Sequence, residues 1–165
     1  MMKYLKTAVL TVLITLGCKP GPPPEHSTAP CPESEKTPVA QQVEQLKKEG
    51  FEIFEMTDEK TGDTLIMQQY FMAFLRSGPN RGQSQTIADS LQKLHMAHLS
   101  RMYEEGHADI SGPFGDDGNL RGITVYNVPT LAMADSLAHL DPMVRSGRLT
   151  VEIKPWWAGK GYGTR

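Results

Sequence analysis

Apolar positions along the chain follow a strand spacing in some segments and a helical spacing in others. Residues 64–76 carry aromatic and aliphatic side chains at both odd and even positions. Such a pattern predicts a central strand that is covered on both faces. Residues recur every three or four positions from 85 to 105 in a core-facing stripe, which predicts a helix ended by Gly106. The stripe consists of Ile87, Leu91, Leu94, His98 and Met102. A second helix is predicted over residues 130–141, because a proline at 142 disfavours helical backbone just before it.

Three shorter strands complete the pattern. They are predicted at residues 107–111, 121–128 and 149–154, with glycine, proline and aspartate turns between the elements. The order from residue 64 onward is therefore βαββαβ. This order indicates a ferredoxin-like α+β fold, in which an antiparallel sheet carries two helices on one face. Residues 41–63 add an N-terminal extension of a short helix, a strand and a turn.

The predicted sheet has one face without helices. Because the central strand is apolar on both sides, that second face needs a partner. Two solutions are open. Two copies of the chain pack face to face as a homodimer, which we favour, or the extension at residues 41–57 folds across the face.

The N-terminus has the features of an export signal. Lys3 and Lys6 precede a nine-residue apolar stretch, which is shorter than the about 20 residues that a membrane-spanning helix needs. Cys18 follows Thr-Leu-Gly and resembles the acylated cysteine of a bacterial lipobox. We therefore predict a signal peptide at residues 1–17, lipidation at Cys18 and location in the bacterial cell envelope. The alternatives are an ordinary secreted protein and a small buried helix.

Residues 18–40 read as a linker. Seven of the twelve prolines lie there, with almost nothing apolar to bury, so a semi-stiff tether is favoured over a proline-rich recognition motif. Cys31 lies in this linker and has no intrachain partner once Cys18 is acylated. The chain carries 17 basic and 19 acidic residues, a net charge of −2. This balance argues against nucleic-acid binding, and the membrane is contacted only through the lipid anchor.

Candidate chemistry lies on the two predicted helices. His95 and His98 both point into the apolar arc of the first helix, at 100° per residue. Asp141 stands where Pro142 stops the second helix. A carboxylate beside a histidine poises it as an acid or a base, whereas the structural alternatives are core histidines and a helix-terminating Asp-Pro turn.

The folded region resembles the YciI-like (YCII-related) family over just over half of the chain. The matching pieces are short but keep their order: Tyr70 to Leu75, His95 to Leu99, Glu104 to Gly106, Ser111 to Pro113, Asp141 to Met143, Gly147, and Lys154 to Trp156. On this basis residues 64–165 form the YciI-like domain.

The resemblance implies a dimeric ferredoxin-like fold of the dimeric α/β-barrel type, with a histidine–aspartate pair in a small cleft. The family histidine stands eleven residues before the glycine that ends its helix, which is His95 here. The family aspartate precedes a proline, which is Asp141. One branch of the family resembles dehydrochlorinases that act on chlorinated hydroxyquinols. An exported, lipidated member departs from the family's usual cytoplasmic location, so its substrate stays open.

The resulting hypothesis is a lyase- or isomerase-like enzyme for a small cyclic or phenolic substrate. Asp141 and His95 form the acid/base pair, and substrate contacts are predicted from His98, Gly112, Pro113 and Arg81. The alternative is a non-catalytic module that binds a small ligand or a partner in the envelope. A metal on His95, His98 and Asp141 lacks further ligands of a recognisable set, so neither metal nor cofactor is predicted.

Overall fold

The computed structural model describes residues 38–161. The predicted signal peptide, Cys18, Cys31 and almost all of the linker lie outside the described residues, so export and lipidation stay predictions. Within the described part, no helix is both long enough and apolar enough to cross a membrane.

Nine helices and strands make up the described region. They are α1 (Val39–Lys48), β1 (Ile53–Thr57), β2 (Thr64–Ser77), α2 (Gln85–Glu104), β3 (Ala108–Pro113), β4 (Leu120–Tyr126), α3 (Leu131–His139), α4 (Pro142–Arg145) and β5 (Leu149–Gly159).

The strands form one antiparallel sheet around β2. From β2 onward the spatial order is β5-β2-β4-β3, and β1 pairs with the first residues of β2 as a hairpin. The predicted ferredoxin-like α+β fold and its N-terminal extension are confirmed. β5 runs five residues further than the strand predicted from the sequence, since Trp156 pairs with Tyr70 and Gly159 with Met67. Its Pro155 is tolerated because β5 lies at the edge of the sheet.

Helices α2 and α3 both begin after a residue whose hydroxyl group caps the first turn. Ser84 accepts a hydrogen bond from the backbone N–H of Ile87, and Thr130 accepts one from that of Met133. Past the end of α2, Gly106 takes a φ of 73°, a left-handed conformation that favours glycine. The second helix ends at His139, slightly before the predicted position.

The main core lies between the sheet and helices α2 and α3. It consists of residues from both layers: Phe71, Ala73, Met102, Ala108, Tyr126, Val128, Ala134 and Ala138. The face of α2 that enters this core agrees with the predicted stripe at His98 and Met102 and differs from it at Ile87 and Leu94. Ile87 and Leu94 are 53% and 54% exposed, whereas Ala88, His95, His98 and Met102 are buried. The centre of the buried arc is rotated by about 45° from that of the predicted one, because Ala88 and His95 are buried instead of Ile87 and Leu94.

The opposite face of the sheet is covered at one end by the extension. Side chains alternate along β2, so Ile66 points away from Phe71 and Ala73. Val43 and Leu46 of α1 pack against Ile66 in a second small core. The extension therefore folds across part of this face, as the alternative interpretation expected. Met72 and Phe74, further along the same face, remain only partly buried.

The homodimer through the remaining face stays a prediction. We expect sedimentation equilibrium to show a dimer, and we expect Phe74→Lys to shift it to a monomer, because a charge would be buried in an apolar interface. Phe114→Lys is the matched control, since Phe114 is an exposed aromatic residue in the β3–β4 turn. A monomeric wild-type protein at high concentration would contradict the prediction.

The loop that follows β2 lies in close contact with the segment that precedes β5. The backbone N–H of Gly78 donates to the carbonyl of Arg148, and that of Asn80 donates to the carbonyl of Gly147. A Cβ atom on Gly78 would lie 2.2 Å from the Gly147 carbonyl oxygen. Only glycine at position 78 allows this approach, which holds the 78–82 loop against the segment before β5.

We expect Gly78→Ala to lower the free energy of unfolding by about 1–3 kcal/mol, because two backbone segments must separate to make room for the methyl group. Gly82→Ala is the control, since a Cβ there meets no atom within 4 Å. Urea unfolding measures both variants. Equal stabilities would show that the two loops do not depend on their close contact.

Candidate active site

The central feature of the site is a buried contact between His95 and Asp141. The His95 Nδ1 atom lies 2.6 Å from the Asp141 Oδ2 atom. The two residues are 9% and 2% exposed. The distance is that of a charge-assisted hydrogen bond between an N–H and a carboxylate. The structure therefore brings together the two residues that the sequence predicted as an acid/base pair.

The local sequence explains why Asp141 reaches the site. Pro142 keeps the backbone of Asp141 extended, with a φ of −61° and a ψ of 123°, and so separates α3 from α4. Asp141 is the N-cap of α4, and its Oδ1 atom accepts a hydrogen bond of 2.9 Å from the Met143 N–H. One carboxylate oxygen is thus fixed by the backbone and the other by His95. The sequence predicted the helix break but not the short helix that follows it.

The surroundings of Asp141 are poorly hydrated. Tyr126 lies in the main core, and burial, with a smaller contribution from the Asp141 carboxylate, raises the pKa of its phenol. A hydroxyl in this environment stays neutral over the physiological range. The carboxylate that holds His95 therefore works in a medium where electrostatic interactions are stronger than in water.

His95 also lines two adjoining clefts. With Nδ1 held by Asp141, Nε2 is the nitrogen left for a ligand, and it makes no hydrogen bond within residues 38–161. The first cleft has a volume of about 210 Å³ and mostly apolar walls. Its walls come from α2 and from strands β2, β3, β4 and β5, and include Leu75, Met96, Leu99, Gly112, Pro113 and Ile123.

The second cleft is more polar than the first and has a volume of about 290 Å³. Three arginines line it, Arg81 from the loop before α2, Arg121 from β4 and Arg148 from the segment before β5. Gln92 and His95 belong to both clefts. The residues predicted to shape a substrate site, Gly112, Pro113 and Arg81, thus lie in one or the other wall.

His98 does not line either cleft, in contrast to its predicted contact with substrate. It is 3% exposed, and its Nδ1 atom accepts a hydrogen bond of 3.1 Å from the Arg101 guanidinium. Its Nε2 atom is buried without a partner in the described region. Burial is the main cause that lowers the pKa of His98. Arg101 and His95 add to the shift, and Asp141 and Glu105 oppose it. His98 is a neutral core residue one turn from the site.

Arg121, Arg148 and Gln92 were not predicted as site residues. Gln92 lies three residues before His95 on the same side of α2. Helical spacing from His95 was therefore enough to indicate Gln92 as a site residue. Arg148 arrives through the close contact between Gly78 and the segment before β5, which no local pattern encodes. In the described region, no group of three or more histidine, cysteine, aspartate or glutamate side chains is arranged to hold a metal ion.

Comparison with known protein families identifies the domain. The YCII-related domain matches residues 72–157, just over half of the chain. The chain belongs to the YCII-related family. Both His95 and Asp141 lie within the matched segment, as do Gly112 and Pro113.

One solved structure similar to this chain is a 5-chloro-2-hydroxyhydroquinone dehydrochlorinase from Burkholderia phenoliruptrix, in complex with 2,5-dihydroxybenzoquinone. It shares 17% sequence identity at a TM-score of 0.41, and the similarity covers 53% of this chain and 92% of that one. A search of curated proteins found no match.

The neutral state of His98 has a consequence for stability. The folded protein holds the pKa of His98 below the ordinary value of 6.5, so below that pH the unfolded chain binds more protons than the folded one. The free energy of unfolding should therefore fall as the pH drops below 6.5. The contribution of His98 to the slope is at most about 1.4 kcal/mol per pH unit.

We expect His98→Gln to flatten this slope in urea unfolding between neutral and mildly acidic pH. His139→Gln is the control, because it removes an exposed imidazole at the end of α3. A slope that is unchanged in His98→Gln would show that His98 is not responsible.

Proposed function

We propose that this domain is a small-molecule enzyme that uses His95 and Asp141 as an acid/base pair on a cyclic or phenolic substrate. The single observation that carries the proposal is the 2.6 Å contact between Nδ1 and Oδ2 in the wall of an open cleft. A buried carboxylate on one side of an imidazole and a ligand-sized space on the other is the arrangement that general acid/base catalysis requires.

The geometry gives each residue a distinct role. Asp141 accepts the Nδ1–H of His95 and so fixes the tautomer that carries a lone pair on Nε2. Nε2 then takes a proton from the bound substrate, and the carboxylate stabilises the resulting imidazolium. In the reverse direction the imidazolium returns the proton to the substrate or to a leaving group. Asp141 itself keeps its charge throughout.

The walls of the first cleft favour a flat, apolar substrate body. Leu75, Leu99 and Ile123 supply aliphatic surface, and Gly112 and Pro113 form a backbone wall without a long side chain. A ring fits such walls better than a flexible polar chain, since few polar groups are available there to replace water. This is consistent with the phenolic substrate class that the family resemblance suggested.

The second candidate function is binding without turnover. The arginine-lined cleft favours it, because three guanidinium groups hold a ligand whether or not a proton is transferred. Either function operates in the cell envelope if Cys18 is lipidated, which is part of the proposal and rests on the sequence alone.

We expect the purified protein to exchange ring hydrogens of hydroxyquinol for deuterium, and to release chloride from chlorinated hydroxyquinols. Proton NMR in deuterium oxide and a chloride electrode measure the two reactions. His95→Gln should lower both rates by about 10²–10⁴-fold, since it removes the proton acceptor. Asp141→Asn should lower them similarly, because its oxygen can still cap α4 while its amide no longer accepts the Nδ1–H.

The control is the exposed pair His139 and Asp135 on α3, whose Nδ1 and Oδ1 atoms are 3.4 Å apart. His139→Gln and Asp135→Asn should leave both rates unchanged. Wild-type rates in both site variants would reject the proposed catalytic pair. Ligand binding with neither reaction detectable in the wild-type protein would favour the binding function.

A further inference from the structure

The three arginines of the second cleft have no acidic partner among residues 38–161. The ion pairs that arginines form in the described region join Arg76 to Glu152 and Arg101 to Glu105, and none involves Arg81, Arg121 or Arg148. The cleft therefore gathers three positive charges that other parts of the fold do not neutralise.

Neutral groups hold each of these side chains in place. Arg81 donates to the Arg148 carbonyl at 3.4 Å, and Arg121 donates to the Gly118 carbonyl at 3.1 Å. Arg148 donates to the Gln83 side-chain oxygen at 2.8 Å. A guanidinium has five N–H donors, so each of the three keeps donors free for a ligand. Orientation by neutral acceptors leaves the positive charge undiminished.

The buried carboxylate of the candidate site does not neutralise these three arginines. Asp141 lies behind His95, with its two oxygens already bonded to His95 and to the Met143 N–H. It does not line either cleft. An anionic group on a ligand would neutralise the three guanidinium groups. The planar N–H donors of a guanidinium match the oxygens of a carboxylate or a phosphate.

The two clefts together define the rest of the ligand. They share Gln92, His95, Pro113, Arg121 and Leu149, so they are continuous around His95. One end of this continuous space has aliphatic walls and the other has the arginines. A ligand that fills both must carry an apolar body joined to an anionic group.

We propose that the ligand of this site is a cyclic organic acid, bound by its anionic group to Arg81, Arg121 and Arg148 and by its ring in the apolar cleft. That this ligand is also a substrate rests on the proposed function. His95 lines both clefts, so its Nε2 atom would face the junction between the ring and the anionic group. The arginines also stabilise negative charge that develops on the ring when a proton passes to Nε2.

Isothermal titration calorimetry with benzoate, phenylphosphate and benzamide tests the proposal. Benzamide has the ring and nearly the shape of benzoate but no charge. At least one of the two anions should bind at least about tenfold more tightly than benzamide, the equivalent of one charge-assisted hydrogen bond. The comparison of benzoate with phenylphosphate shows whether the site prefers a carboxylate or a phosphate. Inorganic phosphate should bind more weakly than phenylphosphate, because it leaves the apolar cleft empty.

Arg81→Gln and Arg121→Gln should each weaken binding of the preferred anion by about tenfold or more, and binding should weaken as salt concentration rises. Arg76→Gln is the matched control, since it removes the same charge from an exposed ion pair on β2. Circular dichroism confirms that each variant is folded. Benzamide affinity should not change in any of the variants.

Equal affinities for benzoate, phenylphosphate and benzamide, no binding of either anion at millimolar concentration, or wild-type anion affinity in both arginine variants would overturn the inference. Equal affinities for inorganic phosphate and phenylphosphate would overturn the part of the inference that places the ring in the apolar cleft. Selective anion binding, with no chloride release and no ring-hydrogen exchange in hydroxyquinol or in a carboxylated hydroxyquinol, would instead overturn the proposed catalysis and leave this inference standing. Turnover of the carboxylated hydroxyquinol at the wild-type rate in Arg81→Gln and Arg121→Gln would overturn this inference and leave the proposed catalysis standing.

Discussion

The buried hydrogen bond between His95 and Asp141 is the constraint on which the arrangement of the helical layer depends. It joins the middle of α2 to the junction of α3 and α4, so the two halves of the layer meet at one polar contact. It also decides which side of α2 faces the sheet, because a histidine bonded to a buried carboxylate has to point inward. Ile87 and Leu94 are left on the surface as a result.

Two histidines one turn apart on α2 have opposite environments. His95 has a carboxylate on one nitrogen and a cleft on the other, whereas His98 receives a hydrogen bond from Arg101 and has no access to either cleft. A guanidinium that donates to an imidazole nitrogen favours the neutral form of His98. The difference comes from the neighbours of each side chain, not from its position in the helix.

The sequence was sufficient for the topology, and the family resemblance pointed to the two residues that meet in the site. Alternating strands, turn residues and the break at Pro142 indicated the order of the elements, and the family's spacing to Gly106 selected His95. It was not sufficient for the arginine cluster. Arg121 and Arg148 stand on different strands or loops, and they converge because β4 pairs with β2 and because Gly78 allows two backbones to meet. Hydrophobic periodicity also failed on α2, since it weighs aliphatic size and ignores a bond to a partner 46 residues away.

The energetics of the pair favour a functional origin. A carboxylate that is 2% exposed has lost its hydration, and its two protein hydrogen bonds only offset that cost. An apolar pair of similar volume often fills such a position with equal or greater stability. A helix-ending Asp-Pro turn needs only the bond to the Met143 N–H and does not need a histidine. Burial of the second oxygen against an imidazole, beside a cleft lined by three arginines, holds the helical layer together at a desolvation cost that an apolar contact would avoid. Such a loss of stability is expected at a site that binds a ligand.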